Sequence, residues 1–150
     1  MSVAAVLKQK GSDVVSVVPS VTVREIAAMI TSRRIGAVVV LGDAQELVGI
    51  VSERDVVKAV ANSGEAALAM TAGDIMTRNV KVASPNTTMH EAMAQMDAGY
   101  FRHLPVVENG SLVGIISVRD VVRAQMQHQE LEVDSLKAYV LRGAPADGLR

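Results

Sequence analysis

Two four-residue stretches, Ser52-Glu53-Arg54-Asp55 and Ser117-Val118-Arg119-Asp120, carry the side chains best suited to chemistry in this chain. Each lies between two apolar runs, where a strand gives way to a helix. Backbone N–H groups at a helix start lack intrahelical partners, and the helix dipole favours an anion there. The two Ser hydroxyls add donors, and Arg54 and Arg119 can make charge-assisted hydrogen bonds to phosphate. An ionised Asp only accepts, so Asp55 and Asp120 suit the paired hydroxyls of a ribose. Ser-x-x-Asp is also the spacing of a capping box, with the arginines solvated. The two readings are compatible.

Composition removes several other chemistries. The 150 residues contain no cysteine, so disulfides, thiol catalysis and thiolate metal sites are out. One Phe, two Tyr and no Trp leave almost no platform for stacking nucleic-acid bases, and a net charge of −1 gives no polyanion footprint. No nucleic-acid partner is expected. Apolar runs such as Ile35 to Leu41 are too short to cross a bilayer, and the lysines of Met1 to Lys10 follow the apolar stretch, the reverse of a signal peptide. A cytoplasmic protein without membrane contact is the default expectation. No activated nucleophile, Ser/His/Asp set or glycine-rich phosphate loop is present, so an enzyme is not expected. His90 and His128 have no metal-ligand spacing, and no metal is expected. Met89, Met93 and Met96 read as packing on one helix face, and Arg33-Arg34 as a solvated helix end.

The elements that must hold the two Ser-x-Arg-Asp stretches are themselves doubled. Val48-Gly49-Ile50-Val51-Ser52-Glu53-Arg54-Asp55-Val56-Val57-Lys58-Ala59 reappears 65 residues later as Val113-Gly114-Ile115-Ile116-Ser117-Val118-Arg119-Asp120-Val121-Val122-Arg123-Ala124. Upstream, Pro19, Thr22 and Glu25 match Pro85, Thr88 and Glu91 at 66, so the first copy holds one extra residue near Glu46. Asp13 to Val18 and Asn79 to Ala83 predict short strands. Thr22 and Thr88 predict capped helices, with Glu25 and Glu91 completing the boxes. Ala37 to Leu41 with Leu47 to Val51, and Leu104 to Val107 with Leu112 to Ile116, predict hairpins. A second helix follows in each copy, giving β-α-β-β-α. One such repeat buries too little to stand alone, so two are expected to pack sheet against sheet around a shared core. Met1 to Lys10 predicts a short helix entering the first repeat. The last helix is expected to run to about Leu141, before a loose tail from Arg142 to Arg150.

Taken in order, these residues resemble a CBS domain pair, the Bateman module, of stand-alone bacterial type. Gly49-Ile50-Val51-Ser52-x-Arg54-Asp55, its copy at Gly114, Asp74-Ile75-Met76-Thr77 and Arg102-His103-Leu104-Pro105-Val106-Val107 carry the likeness. The resemblance implies an α/β (α+β) fold of tandem β-α-β-β-α repeats about a pseudo-twofold axis, sheets packed together and helices outside. Residues 1–62 would hold the N-terminal helix and first repeat, 63–76 a linker, 77–130 the second repeat and 131–150 a helical extension and tail. It implies a regulatory module that binds AMP, ADP or ATP, or else NAD or S-adenosylmethionine. Such a module dimerises through its helices (Val56 to Val60 and Val121 to Ala124 offer a face) and signals to a regulated protein. A purely structural dimerisation module with empty clefts is the alternative.

By the same analogy each ribose-binding Asp faces adenine walls from the other repeat. Ser52, Arg54 and Asp55 would share the first cleft with Thr77, Asn79, Lys81, Arg102 and His103. Ser117, Arg119 and Asp120 would share the second with Ser12, Asp13, Val15, Gly36 and Ala37. Because Arg102-His103 has only Gly36-Ala37 as its counterpart, the Asp55 cleft is expected to be the better phosphate site. His103 is expected to make phosphate binding sensitive to pH.

Overall fold

The computed structural model describes residues 1–142; the expected tail lies, from 143 onward, outside them. The chain runs α1 (Val3–Lys10), β1 (Ser16–Val17), α2 (Val23–Arg33), β2 (Ala37–Leu41), β3 (Leu47–Ser52) and α3 (Glu53–Ser63). A 3-10 turn at Gly64–Ala69 leads to α4 (Ala72–Ile75), then α5 (Met89–Gly99), β4 (His103–Glu108), β5 (Ser111–Ser117) and α6 (Val118–Leu141).

Local chemistry accounts for most of these boundaries. Thr22 caps α2 by accepting from the Glu25 N–H at 3.2 Å while the Glu25 carboxylate accepts from the Thr22 N–H at 3.2 Å. Thr88 caps α5 only halfway. Its hydroxyl accepts from the Glu91 N–H at 3.0 Å, but it also donates to the Glu91 carboxylate at 3.0 Å, so that side chain does not complete the expected box. The β4–β5 turn has Asn109 at φ 51° and Gly110 at φ 80°, the doubly positive pair that a two-residue hairpin of right-handed twist requires.

The first sheet is ordered β1-β2-β3, with β1 parallel to β2 and β2 antiparallel to β3; β4 and β5 form an antiparallel pair. The strand expected over Asp13 to Val18 shortens to two residues, and its copy in the second repeat shortens to a single bridge, Ala83 to Val106. Both segments lie at a sheet edge, where one neighbour suffices.

Each repeat has its own helix-facing core. Val17, Ile26, Ile30, Val38, Val40 and Val51 form one; Met89, Ala92, Met96, Leu104, Val106 and Ile116 belong to the other. Strand alternation turns Ala37 and Val39 to the opposite face, yet both are buried, as is Pro105 at the position matching Val39. The grouped core residues nevertheless fall into two clusters, one for each repeat, so the expected shared core is divided.

The segments preceding the repeats are exchanged. α1 packs on the second repeat, not the first as its order in the chain predicts. Val3 N–H donates to the Thr87 carbonyl, Ser2 bridges Thr88, and Leu7 lies over Gly114. The presumed linker is structured and makes the matching contacts with the first repeat. Thr71 bridges Thr22, Thr77 bridges Ile50, and Met76 lies over Gly49. A Cβ on Gly114 would stand 2.7 Å from Leu7 Cδ2, and one on Gly49 2.4 Å from Met76 Sδ. Both glycines are there to admit the exchanged side chain.

Leu7→Ala should therefore destabilise the protein by about 2–3 kcal/mol, as large-to-small changes in packed sites do. The neighbouring, exposed Gln9→Ala should stay within about 0.5 kcal/mol. Urea unfolding of both variants checks this; equal stabilities would mean that α1 is not docked.

Candidate functional site

Between the repeats lies a cleft of about 1310 Å³, above the roughly 300–1,000 Å³ of ordinary small-molecule sites. The first repeat supplies Asp13, Val14, Val15, Arg34, Ile35, Gly36, Ala37 and Glu53 to its walls. The second supplies Arg102, His103 and the whole run from Ile115 to Asp120, with Arg123. Lys10 closes one side.

The floor is the β5–α6 junction. Ser117 caps α6, and the Asp120 carboxylate returns the favour: Oδ2 accepts from the Ser117 N–H at 2.8 Å and its hydroxyl at 3.1 Å. The β3–α3 junction repeats this with Ser52 and Asp55, again at 2.8 and 3.1 Å. Capping thus consumes Oδ2 in both copies. Among the described residues no donor reaches Oδ1 of either Asp, so an acceptor remains for a ligand hydroxyl.

The helix starts are less open to an anion than the sequence suggests. The first N–H of α3 donates to the Gly36 carbonyl at 3.0 Å, and that of α6 to the Arg102 carbonyl at 2.9 Å. The third N–H goes to the capping Ser, whose own proton is committed to the Asp. Neither Ser hydroxyl is a spare donor. The cleft's positive charge comes from side chains, with Lys10, Arg34, Arg102, Arg119 and Arg123 set against Asp13, Glu53 and Asp120.

The family model of the CBS domain matches residues 8–62 and 72–127. This chain is a CBS domain pair. It is similar to a solved CBS-domain-containing protein from Agrobacterium tumefaciens, at 46% identity and a TM-score of 0.81, covering 83% of this chain and 92% of that one. A CBS domain protein from Pyrobaculum aerophilum, solved in complex with AMP, is 31% identical with a TM-score of 0.70, covering 80% and 89%. A mitochondrial CBS domain-containing protein of Arabidopsis thaliana is 34% identical over 126 residues, 81% of this chain and 61% of that protein. The chain spans about three fifths of the length of the curated relatives it matches. CBS pairs of this kind are regulatory binding modules rather than enzymes. No described helix of this pair is long and apolar enough to cross a membrane.

The pair distributes the expected site residues unevenly. Asp13, Val15, Gly36, Ala37, Ser117, Arg119 and Asp120 line the one cleft, whereas Ser12 does not. Arg102 and His103, expected beside Asp55, line the Asp120 cleft instead. The reason is steric: β4 begins directly against Gly36, where a Cβ would stand 2.6 Å from His103 Nε2. On the Asp55 side, Arg54 Nη1 donates to the Tyr100 carbonyl at 2.7 Å, tying α3 to the second repeat. Thr77 pairs its backbone with Ile50 there, and Asn79 and Lys81 are exposed. The cleft described here is thus on the Asp120 side, opposite to the expected preference for Asp55. Four charged participants were missed by sequence reasoning: Lys10, Arg34, Glu53 and Arg123. Arg34 belongs to the supposed solvated helix end, but its left-handed backbone (φ 53°) ends α2 beside the cleft. Lys10 came from the segment assigned to the wrong repeat.

Lys10 sets the electrostatics of the floor. Its ammonium donates to Asp120 Oδ2 at 2.7 Å and to the Ile115 carbonyl at 2.9 Å. Burial works against ionisation of Asp120, but the Lys10 hydrogen bond, the Ser117 bonds and the Lys10 charge outweigh it and hold the carboxyl below its ordinary value. Burial lowers the pKa of His103, with Lys10 and Arg102 helping, against the opposing pull of Glu53 and Asp120. His103 is therefore a neutral imidazole at pH 7.

A carboxyl whose pKa is depressed by folding stabilises the protein above its unfolded value of 3.8, and that contribution is lost as pH falls through the lower folded value. Lys10→Met should accordingly lose about 1 kcal/mol at pH 7 and little at a pH low enough to protonate the folded-state Asp120, given the partial exposure of the pair. Urea unfolding at the two pH values checks it; a loss of equal size at both would assign Lys10 a packing role only.

Proposed function

We propose that this CBS pair binds an adenine nucleotide in the Asp120 cleft and reports it to a partner protein by a change in the arrangement of its repeats or protomers. The observation that carries the reading is the floor of the cleft. Asp120 is held ionised, with one oxygen engaged in capping and the other available to accept from a ribose diol. Val14, Val15, Ile35, Ala37 and Ile115 offer aliphatic walls for an adenine without any aromatic ring. Arg34, Arg102, Arg119 and Arg123 exceed the local acids Asp13 and Glu53 and suit phosphates. The AMP bound to the similar Pyrobaculum aerophilum protein supports the ligand class. Arg54 and Asp55, with the exposed Thr77, Asn79 and Lys81, form a lesser site. The exposed apolar faces of α3 (Val57, Val60) and α6 (Val122, Met126) are the dimer surface through which the change is read.

Differential scanning fluorimetry with AMP, ADP, ATP, NAD and S-adenosylmethionine tests the reading. At a hundredfold excess over Kd a ligand of the native state adds about 2.7 kcal/mol, several degrees for a chain of this size. An adenine nucleotide should give that shift, Asp120→Ala should abolish it, and Asp55→Ala should retain most of it. Comparing each variant with and without ligand removes the cost of losing the cap itself. No shift with any of the five ligands would leave a structural dimerisation module with empty clefts as the better reading. Loss of the shift in Asp55→Ala alone would move the site to the other junction.

A further inference from the structure

The last helix outgrows the domain that it belongs to. At 24 residues α6 is about 36 Å long, and the family match ends at residue 127, roughly its middle. Val121 and Ala124 bury themselves in the core of the second repeat, but from Gln125 to Leu141 only Ala138 is even partly covered. A free helix of that length is marginal in water, since nucleation is costly and each turn adds little. Something must cover it.

The pattern of its apolar residues identifies the occupant. Met126, Val133 and Val140 recur every seven residues, and Val122, Gln129 and Leu136 recur every seven between them. These are the a and d positions of a heptad seam, all apolar except Gln129, and the apolar members are each about half exposed or more. Val121 and Ala124, which face the core, fall on c and f, on the far side of the helix from the seam. The seam is therefore turned away from its own domain.

Charges along the flanks choose the partner. In a parallel pairing of two identical helices, Glu132 at g faces Lys137 at the following e of the other copy, and the symmetry repeats the attraction on the second side. An antiparallel pairing brings e positions together and sets Glu130 near Glu130. Glu132 also contacts His128 Nε2 within its own helix at 3.0 Å, on the same exposed surface.

We infer that residues 122–140 of α6 form a parallel two-stranded coiled coil with the same helix of a second copy. It rests on the dimer reading above and extends that surface beyond the CBS fold. Fewer than three heptads hold two chains weakly by themselves; joined to the α3–α6 face they lock like repeat beside like.

The chain has no cysteine, so single cysteines report proximity cleanly. Leu136→Cys, on the seam, should oxidise to a disulfide-linked dimer at least about tenfold faster than Leu131→Cys, which is equally exposed but at f. By sedimentation, Leu136→Glu should raise the dimer dissociation constant about 100-fold, roughly two tenfold steps in affinity, whereas Leu131→Glu should leave it within threefold. Both substitutions are on the surface, and circular dichroism will show whether helix content survives. Equal cross-linking at the two positions, or a dimer indifferent to Leu136→Glu, overturns the coiled coil. If Val57→Glu then dissociates that indifferent dimer, the α3–α6 face stands and only its extension fails. A chain that is monomeric at micromolar concentration overturns both.

Discussion

A carboxylate has two oxygens, and at each strand-to-helix junction of this protein the fold uses one of them. Asp55 and Asp120 each accept a backbone N–H and a hydroxyl at Oδ2, which satisfies groups that a sharp turn from strand into helix would otherwise strand without partners. The capping fixes the side-chain rotamer, and the rotamer fixes where the second oxygen points. Structure and recognition are therefore not rival explanations of the Ser-x-Arg-Asp repeat. The first prepares the second.

Duplication made the junctions alike, and the segments preceding the repeats made their surroundings unlike. α1 and α4 occupy matching places on opposite repeats, each laid over a glycine, but α1 has eight residues and α4 has four. The longer helix ends in Lys10, whose ammonium reaches Asp120; no ion pair with Asp55 is found among the described residues. On the other side Arg54 spends its guanidinium on a carbonyl across the repeat boundary. One junction is braced by an ion pair beside the cleft, and the other by an arginine that ties α3 to the second repeat. The two junctions differ in these two side chains.

How far the sequence reveals this depends on the range of the interaction. The capping pairs act over three residues, and the order of helices and strands was legible from them and from apolar periodicity. The two hairpins were legible from their paired apolar runs and from turn residues such as Asn109-Gly110, but the register shifts at Val40/Leu41 and Val106/Val107 were not. Most failures are at long range, although the Thr71–Asp74 box that opens α4 inside the expected linker acts over three residues and was missed. Nothing local shows that α1 crosses to the second repeat, because Leu7 and Gly114 are 107 residues apart and each looks ordinary in its own segment. Arg102-His103 was assigned to the wrong cleft for the same reason: its neighbour Gly36 leaves a space, and a space has no signature in sequence. Arg34 was dismissed as a solvated helix end because the left-handed residue that turns it toward the cleft is not a glycine. The commitment of the first helix N–H groups was likewise hidden, since the carbonyls of Gly36 and Arg102 that take them lie just ahead of β2 and β4, far from the helix starts in sequence.

The longest helix links the two surfaces on which the functional reading depends. α6 starts at the floor of the cleft, where Asp120 is its third residue, and ends in the exposed heptad stripe. On the proposed reading, a ligand at Asp120 would grip one end of this rod and a second protomer would meet the other. A continuous ladder of i to i−4 hydrogen bonds makes this helix of about 36 Å a stiff connection between its two ends. Coupling of this kind is reciprocal: whatever free energy the ligand contributes to one protomer arrangement, that arrangement returns to ligand affinity. Lys10 lies at the fulcrum, bonded to both the carboxylate of α6 and the last strand before it. The exchanged N-terminal helix thus joins the rod at the point where ligand charge would be felt first, so its docking, the state of Asp120 and the setting of α6 form one mechanical unit.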